Sequence, residues 1–158
     1  MTAEKITMPV RNNLLVSTAV RPSQIPHSGR GLYACENILK NTFIGFYEAE
    51  WYRYGTTDFN KCRGGYSFYV NDYMTLEIMC DDESMPYSAL LNDAHGSGFD
   101  NNVEPHVMIP EAEVAKIRGR NCGKYDPSRI IGLYTMRDIC VGEELFLDYG
   151  NTYWWVAK

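Results

Sequence analysis

The chain has 158 residues, 45% of them hydrophobic and 13% aromatic, with a formal charge of −5. That is the length of one domain able to bury a core of its own, and the composition excludes a disordered chain or a coiled coil. No apolar run approaches the roughly 18 residues of a membrane span, and the negative charge argues against a general nucleic-acid-binding surface and favours a basic partner. Leu14-Leu15-Val16 is too short for the apolar centre of a signal peptide, so an intracellular protein, in nucleus, cytoplasm or both, is expected.

In chain order, Gly29-Arg30-Gly31 predicts a turn or a loop where backbone approaches a ligand closely. Phe43-Ile44-Gly45-Phe46-Tyr47 predicts a strand whose internal glycine marks a bulge or close backbone approach. Residues 66–70 and 75–79 are β-rich and predict two more strands. Short helices are predicted at 84–91 and 110–118, and a strand at 130–136. Gly142-Glu143 predicts a turn into a strand with two-residue alternation over Leu145-Phe146-Leu147-Asp148-Tyr149. Gly, Asn, Asp and Pro clusters separate these pieces every ten to fifteen residues. A mostly β, single-domain fold of several small sheets with short helices follows.

The five cysteines, Cys35, Cys62, Cys80, Cys122 and Cys140, are odd in number and form no C-x-x-C pair. They imply neither a zinc site nor a disulfide framework. His27, His95 and His106 offer no i, i+4 pair, so a metal hydrolase is set aside and no metal is expected. Gly29-Arg30-Gly31 also lacks the third glycine and the following helix of a dinucleotide fingerprint. An amide such as Asn92 both donates and accepts, which suits the ammonium end of an amino-acid-like ligand, although an asparagine after an apolar run also suits a helix C-cap.

Three segments gain meaning from their order: Ser28-Gly29-Arg30-Gly31-Leu32-Tyr33-Ala34, then Ala89-Leu90-Leu91-Asn92-Asp93-Ala94-His95, then Gly142-Glu143-Glu144-Leu145-Phe146-Leu147-Asp148-Tyr149-Gly150. Together they resemble the SET-domain family of protein lysine methyltransferases, over about residues 14–154 of a single domain spanning 1–158. The resemblance implies a β-clip-like fold with a knot-like C-terminal segment, in a minimal, free-standing form without zinc-binding flanks. It implies S-adenosylmethionine as cofactor, S-adenosylhomocysteine as product, and a lysine-containing basic protein such as a histone tail as substrate.

By the same resemblance, Gly29, Arg30, Gly31, Asn92, Asp93 and Tyr149 contact the cofactor, and Trp154 either covers its adenine or packs as a final hydrophobic anchor. Tyr149 and Tyr66 act at the reacting centre, while Tyr66 and Leu147 line the lysine channel, plain core packing being the other reading of Tyr66. Leucine at 147 has no hydroxyl to hold water, which implies that more than one methyl is added. The chain departs from the family pattern at Asn92-Asp93-Ala94-His95, where Asn-His-Ser is usual, and Asn102 aligns with the motif's final asparagine. A carboxylate at 93 cannot donate a hydrogen bond as a histidine ring can, although its backbone can still serve. Two other readings therefore stand beside the histone methyltransferase: a catalytically impaired SET-like module that binds peptide, and a lysine methyltransferase of a non-histone protein. The acidic run Asp81-Asp82-Glu83, with Glu48 and Glu50, would draw a basic peptide or simply form solvated loops.

Overall fold

The computed structural model describes residues 9–53, 67–71, 74–78, 85–114 and 126–149. Eleven short strands dominate them: β1 (Val10–Arg11), β2 (Thr18–Pro22), β3 (Arg30–Ala34), β4 (Phe43–Phe46), β5 (Ala49–Arg53), β6 (Ser67–Asn71), β7 (Met74–Ile78), β8 (Met85–Pro86), β9 (Val103–Val107), β10 (Ile131–Thr135) and β11 (Glu144–Leu145). They form four small sheets, ordered β1-β8, β4-β10-β9, β11-β3-β2 and β5-β7-β6. The predicted mostly β fold of small sheets is what the chain adopts. Among the described residues no helix is long and apolar enough to cross a membrane.

The predicted strands at 43–47, 66–70, 75–79 and 130–136 correspond to β4, β6, β7 and β10, each shifted by a residue or so. The irregularity expected at Gly45 is present, because the β4–β10 register shifts just after the Leu133–Gly45 pair. The Gly29-Arg30-Gly31 segment, expected as a turn or loop, runs on into strand β3. It is the middle strand of its sheet, paired with β2 and β11, so Leu32, Tyr33 and Ala34 are all buried and no in–out alternation announces it. β9 carries Pro105, which disguises it as a non-strand segment; it lies at a sheet edge, where the missing N–H does no harm.

The helix predicted over 84–91 is replaced by β8 and a single 3-10 turn, Tyr87–Leu90. Proline at 86 restricts the residue before it to extended backbone, and the Ser88 N–H is taken by Asn13 Oδ1 at 3.1 Å instead of an intrahelical carbonyl. Of the helix predicted over 110–118, one turn is described, α1 (Glu111–Val114). Residues 115–118 lie outside the described residues.

The predicted alternation at 145–149 is overridden. Glu144, Leu145, Phe146 and Leu147 are all buried, because the segment has protein on both sides. Phe146 bridges Asn92 in parallel and Leu147 bridges Val103 in parallel. Asn102, 1% exposed, secures one flank. Its Nδ2 donates to Glu144 O at 2.9 Å, its Oδ1 accepts from Phe146 N at 2.8 Å, and its own backbone N–H donates to Phe146 O at 3.0 Å. Beneath lies a core that includes Leu32, Ile44, Leu91, Ile131, Leu133 and Leu147.

Replacing Asn102 by alanine would strand the Glu144 carbonyl and the Phe146 N–H where water cannot reach them. At about 1–3 kcal/mol for each unsatisfied group, Asn102→Ala should lose about 2–5 kcal/mol, read as a lowered urea midpoint at unchanged slope.

Candidate functional site

The three separated motif segments meet at one place. Leu91, Asn92 and Asp93 each give one acceptor to the C-terminal segment. Leu91 O accepts from the Tyr149 hydroxyl at 2.5 Å, Asn92 O from Leu147 N at 2.9 Å, and Asp93 Oδ2 from Tyr149 N at 2.8 Å. Asn92 also reaches the first segment, its Nδ2 donating to Arg30 O at 3.1 Å. The C-cap suggested for Asn92 falls instead on Leu91, which ends the 3-10 turn in an extended conformation.

Gly29 and Gly31 serve different ends. Gly29 has φ of 67° and lies in the loop that joins β2 to β3, with its carbonyl accepting from Ser23 N at 2.9 Å. Gly31 has no unusual φ, but a Cβ there would overlap Glu144 Oε2 and lie 3.2 Å from Ser23 Cα. The close approach predicted for this glycine is therefore to a protein carboxylate. Glu144, 2% exposed, accepts from the Ser23 hydroxyl at 2.7 Å and from Gln24 N at 2.8 Å. It thereby clamps the loop before Gly29 to the C-terminal motif.

Sequence reasoning missed Glu144. The signal available was a charged residue abutting an apolar run, which in a buried strand requires polar partners. Its neighbour Glu143 pairs with Arg137 at 2.9 Å and sits in the predicted turn, its N–H donating to Cys140 O at 3.1 Å. Tyr33, opposite Glu144 in the β3–β11 pair, donates its hydroxyl to Pro22 O at 2.6 Å. Burial first, then the nearby Glu144 carboxylate, push its hydroxyl up to about 12.

Asp93 is buried and accepts on both oxygens. Oδ1 takes His95 N and Asn101 Nδ2, each at 2.9 Å, in addition to the Tyr149 N–H on Oδ2. Asn101 closes the loop by accepting from Ala94 N at 2.8 Å. Farther along the same loop, the Phe99 ring stacks on Phe146 with centroids 5.6 Å apart.

Leu147 is fully buried within the core. Tyr66 and Trp154 lie outside the described residues, as does the acidic run 81–83. Glu48 is engaged by Arg11 at 3.2 Å. Among the described residues, no group of three or more His, Cys, Asp or Glu is placed to hold a metal.

A family model for the SET domain matches residues 29–150. A humanized mutant of the Chaetomium thermophilum Polycomb Repressive Complex 2, bound to the inhibitor GSK126, superimposes with a TM-score of 0.58 at 23% identity, over 86% of this chain and 15% of that one. A Plasmodium falciparum candidate histone methyltransferase superimposes with a TM-score of 0.55 at 16% identity, over 88% of this chain and 97% of that one. This chain thus spans a small part of the Polycomb chain and nearly the whole of the Plasmodium one. At such identities the structural likeness is one of fold. Comparison with curated protein sequences gives no match.

Two outcomes test the Glu144 clamp. Gly31→Ala should destabilise by about 1–3 kcal/mol through overpacking, and the penalty should shrink in a Glu144→Ala background, because neighbouring changes couple; equal penalties in both backgrounds would disprove the contact. For Tyr33, the folded pKa of about 12 lies above the ordinary value of 10.0. Its contribution is therefore intact below pH 10 and is lost as pH rises toward 12. Denaturant midpoints measured across that window should fall more steeply for wild type than for Tyr33→Phe.

Proposed function

This chain belongs to the SET-domain family, and on that premise we propose that it is an S-adenosylmethionine-dependent protein-lysine N-methyltransferase that acts on histone lysine and can add more than one methyl group. The observation that carries the reading is the junction at Asn92: its side chain holds Arg30 of the first motif segment, and its carbonyl holds Leu147 of the last.

The amino-acid end of the cofactor suits what this junction offers. With Nδ2 committed to Arg30 O, Asn92 keeps an Oδ1 that no described residue uses, an acceptor of the kind an ammonium needs. Gly29, Arg30, Gly31 and Asp93 would add backbone groups around it, Tyr149 would close it, and Trp154 would cover the adenine. When bound, S-adenosylmethionine supplies an electrophilic methyl on a sulfonium.

The chain's own task is to prepare and aim the lysine. With an unperturbed pKa near 10.4, neutral lysine at pH 7 costs about 4.6 kcal/mol, and an apolar channel walled by Tyr66 and Leu147 would disfavour the ammonium by desolvation. The Tyr149 hydroxyl proton is committed to Leu91 O, so its oxygen presents lone pairs, which orient a lysine N–H by accepting from it. Alignment of this kind supplies roughly 7–11 kcal/mol in favourable systems, and with the lysine pKa lowered so that its proton passes to solvent before the methyl moves, no general base is required. Leu147 brings no hydroxyl to hold water beside the nitrogen, which supports repeated methylation.

The test is transfer of labelled methyl from S-adenosylmethionine to core histones and to a whole-cell extract, with wild type beside Tyr149→Phe. Wild type should label a histone band, and the variant should lose at least about tenfold of that signal. Label on other bands alone would move the target to a non-histone protein. Cofactor binding without any transfer would leave a peptide-binding module.

A further inference from the structure

A carboxylate withdrawn from water needs hydrogen bonds to replace its lost hydration. Asp93, 7% exposed, receives at least three, and these divide by oxygen. Oδ1 holds the loop through His95 N and Asn101 Nδ2, while Oδ2 holds Tyr149 N at 2.8 Å. Tyr149 is therefore gripped at both ends, its main chain by Asp93 and its hydroxyl by Leu91 O at 2.5 Å. A ring tied only at its hydroxyl could still pivot through its backbone. The second tie fixes where the phenolic oxygen stands. The group facing position 93 is an N–H, so an acceptor is what the site requires, and the inability of a carboxylate to donate is no handicap there.

We propose that Asp93 is a positioning residue for methyl transfer, acting through the Tyr149 main chain, with its side chain in a role separate from cofactor contact. This rests on the methyltransferase reading above. The departure from the usual Asn-His pattern is then a working substitution, and the loop from Ala94 to Asn101 is coupled to the reacting tyrosine through one carboxyl group.

Asp93→Asn separates the two halves of that carboxyl. An amide has one acceptor oxygen. Keeping the two loop bonds on that oxygen turns an NH2 group toward the Tyr149 N–H, donor against donor, so the Tyr149 bond breaks and the loop stays. Amide hydrogen exchange followed by NMR should show Tyr149 losing at least about tenfold protection while Ala94 keeps its own. In steady-state assays kcat should fall about tenfold to a hundredfold, with peptide KM and the calorimetric Kd for S-adenosylmethionine within about threefold of wild type.

Wild-type kcat in Asp93→Asn would overturn the proposal, as would a loss that merely tracks weakened cofactor binding or a lowered melting temperature. Should the variant not fold, wild type still decides: a Tyr149 amide that exchanges at the unprotected rate sinks the proposal, and a protected one upholds its geometric basis. A wild type that binds cofactor but transfers no methyl sinks the methyltransferase reading and takes this inference with it. An active wild type with a fully active Asp93→Asn sinks the inference alone.

Discussion

Burial of a short strand-like segment on both sides is the constraint on which the rest depends. Residues 144–147 run through the interior with Asn92 on one flank and Val103 on the other. Backbone N–H and C=O groups placed there must find partners within the protein. Leu147 N goes to Asn92 O, Asp148 N to Val103 O, and Phe146 O to the N–H groups of Asn102 and Val103. The side chain of Asn102 takes Phe146 N and the Glu144 carbonyl. The chemistry of the site grows out of this accounting, since the residues that satisfy the segment are those that bring Asn92, Asp93 and Tyr149 together.

The same constraint explains why polar residues are admitted to the interior. Glu144, Asp93 and Asn102 are each buried, and each accepts from partners far away in the chain. Removing one member of such a set strands several groups at once, which makes buried networks costly to break and specific when whole. Glu144 also dictates the residue opposite it, for only glycine at 31 leaves room for its carboxylate. Gly31 and Glu144, which lie far apart in sequence, are in this respect one arrangement.

Which features were legible in sequence follows from the same physics. Strands β4, β6, β7 and β10 could be read because apolar and β-branched residues cluster between turn formers. β3 and β9 could not, the first because a central strand shows no alternation and the second because Pro105 disguises an edge. The helix expected over 84–91 failed because Pro86 and the Asn13–Ser88 bonds, seventy-five positions apart, outweigh local pattern. Motif order singled out Arg30, Asn92, Asp93 and Tyr149, which hydrogen bonds bring together. It did not reveal the partner of Asp93, since nothing local indicates that a carboxylate at 93 faces a backbone N–H at 149. Nor did it reveal Glu144, whose partners Ser23 and Gln24 lie far away in the sequence.

The Ser23–Glu144 bond spans 121 positions, and this has a bearing on how the molecule assembles. Contacts so distant in sequence carry a large loop-closure cost before they return any stability, and folds rich in them form slowly. During synthesis the slot between Asn92 and Val103 is made long before the segment that fills it. Without residues 144–149, the backbone groups of Asn92 and Val103 that they satisfy would need other partners, and unpaired edges of this kind are surfaces through which partly folded chains associate. The bonds that join Asn92 and Val103 to residues 144–149 can form only once the later segment has been made, so the site is assembled by contacts that local folding of either part cannot supply.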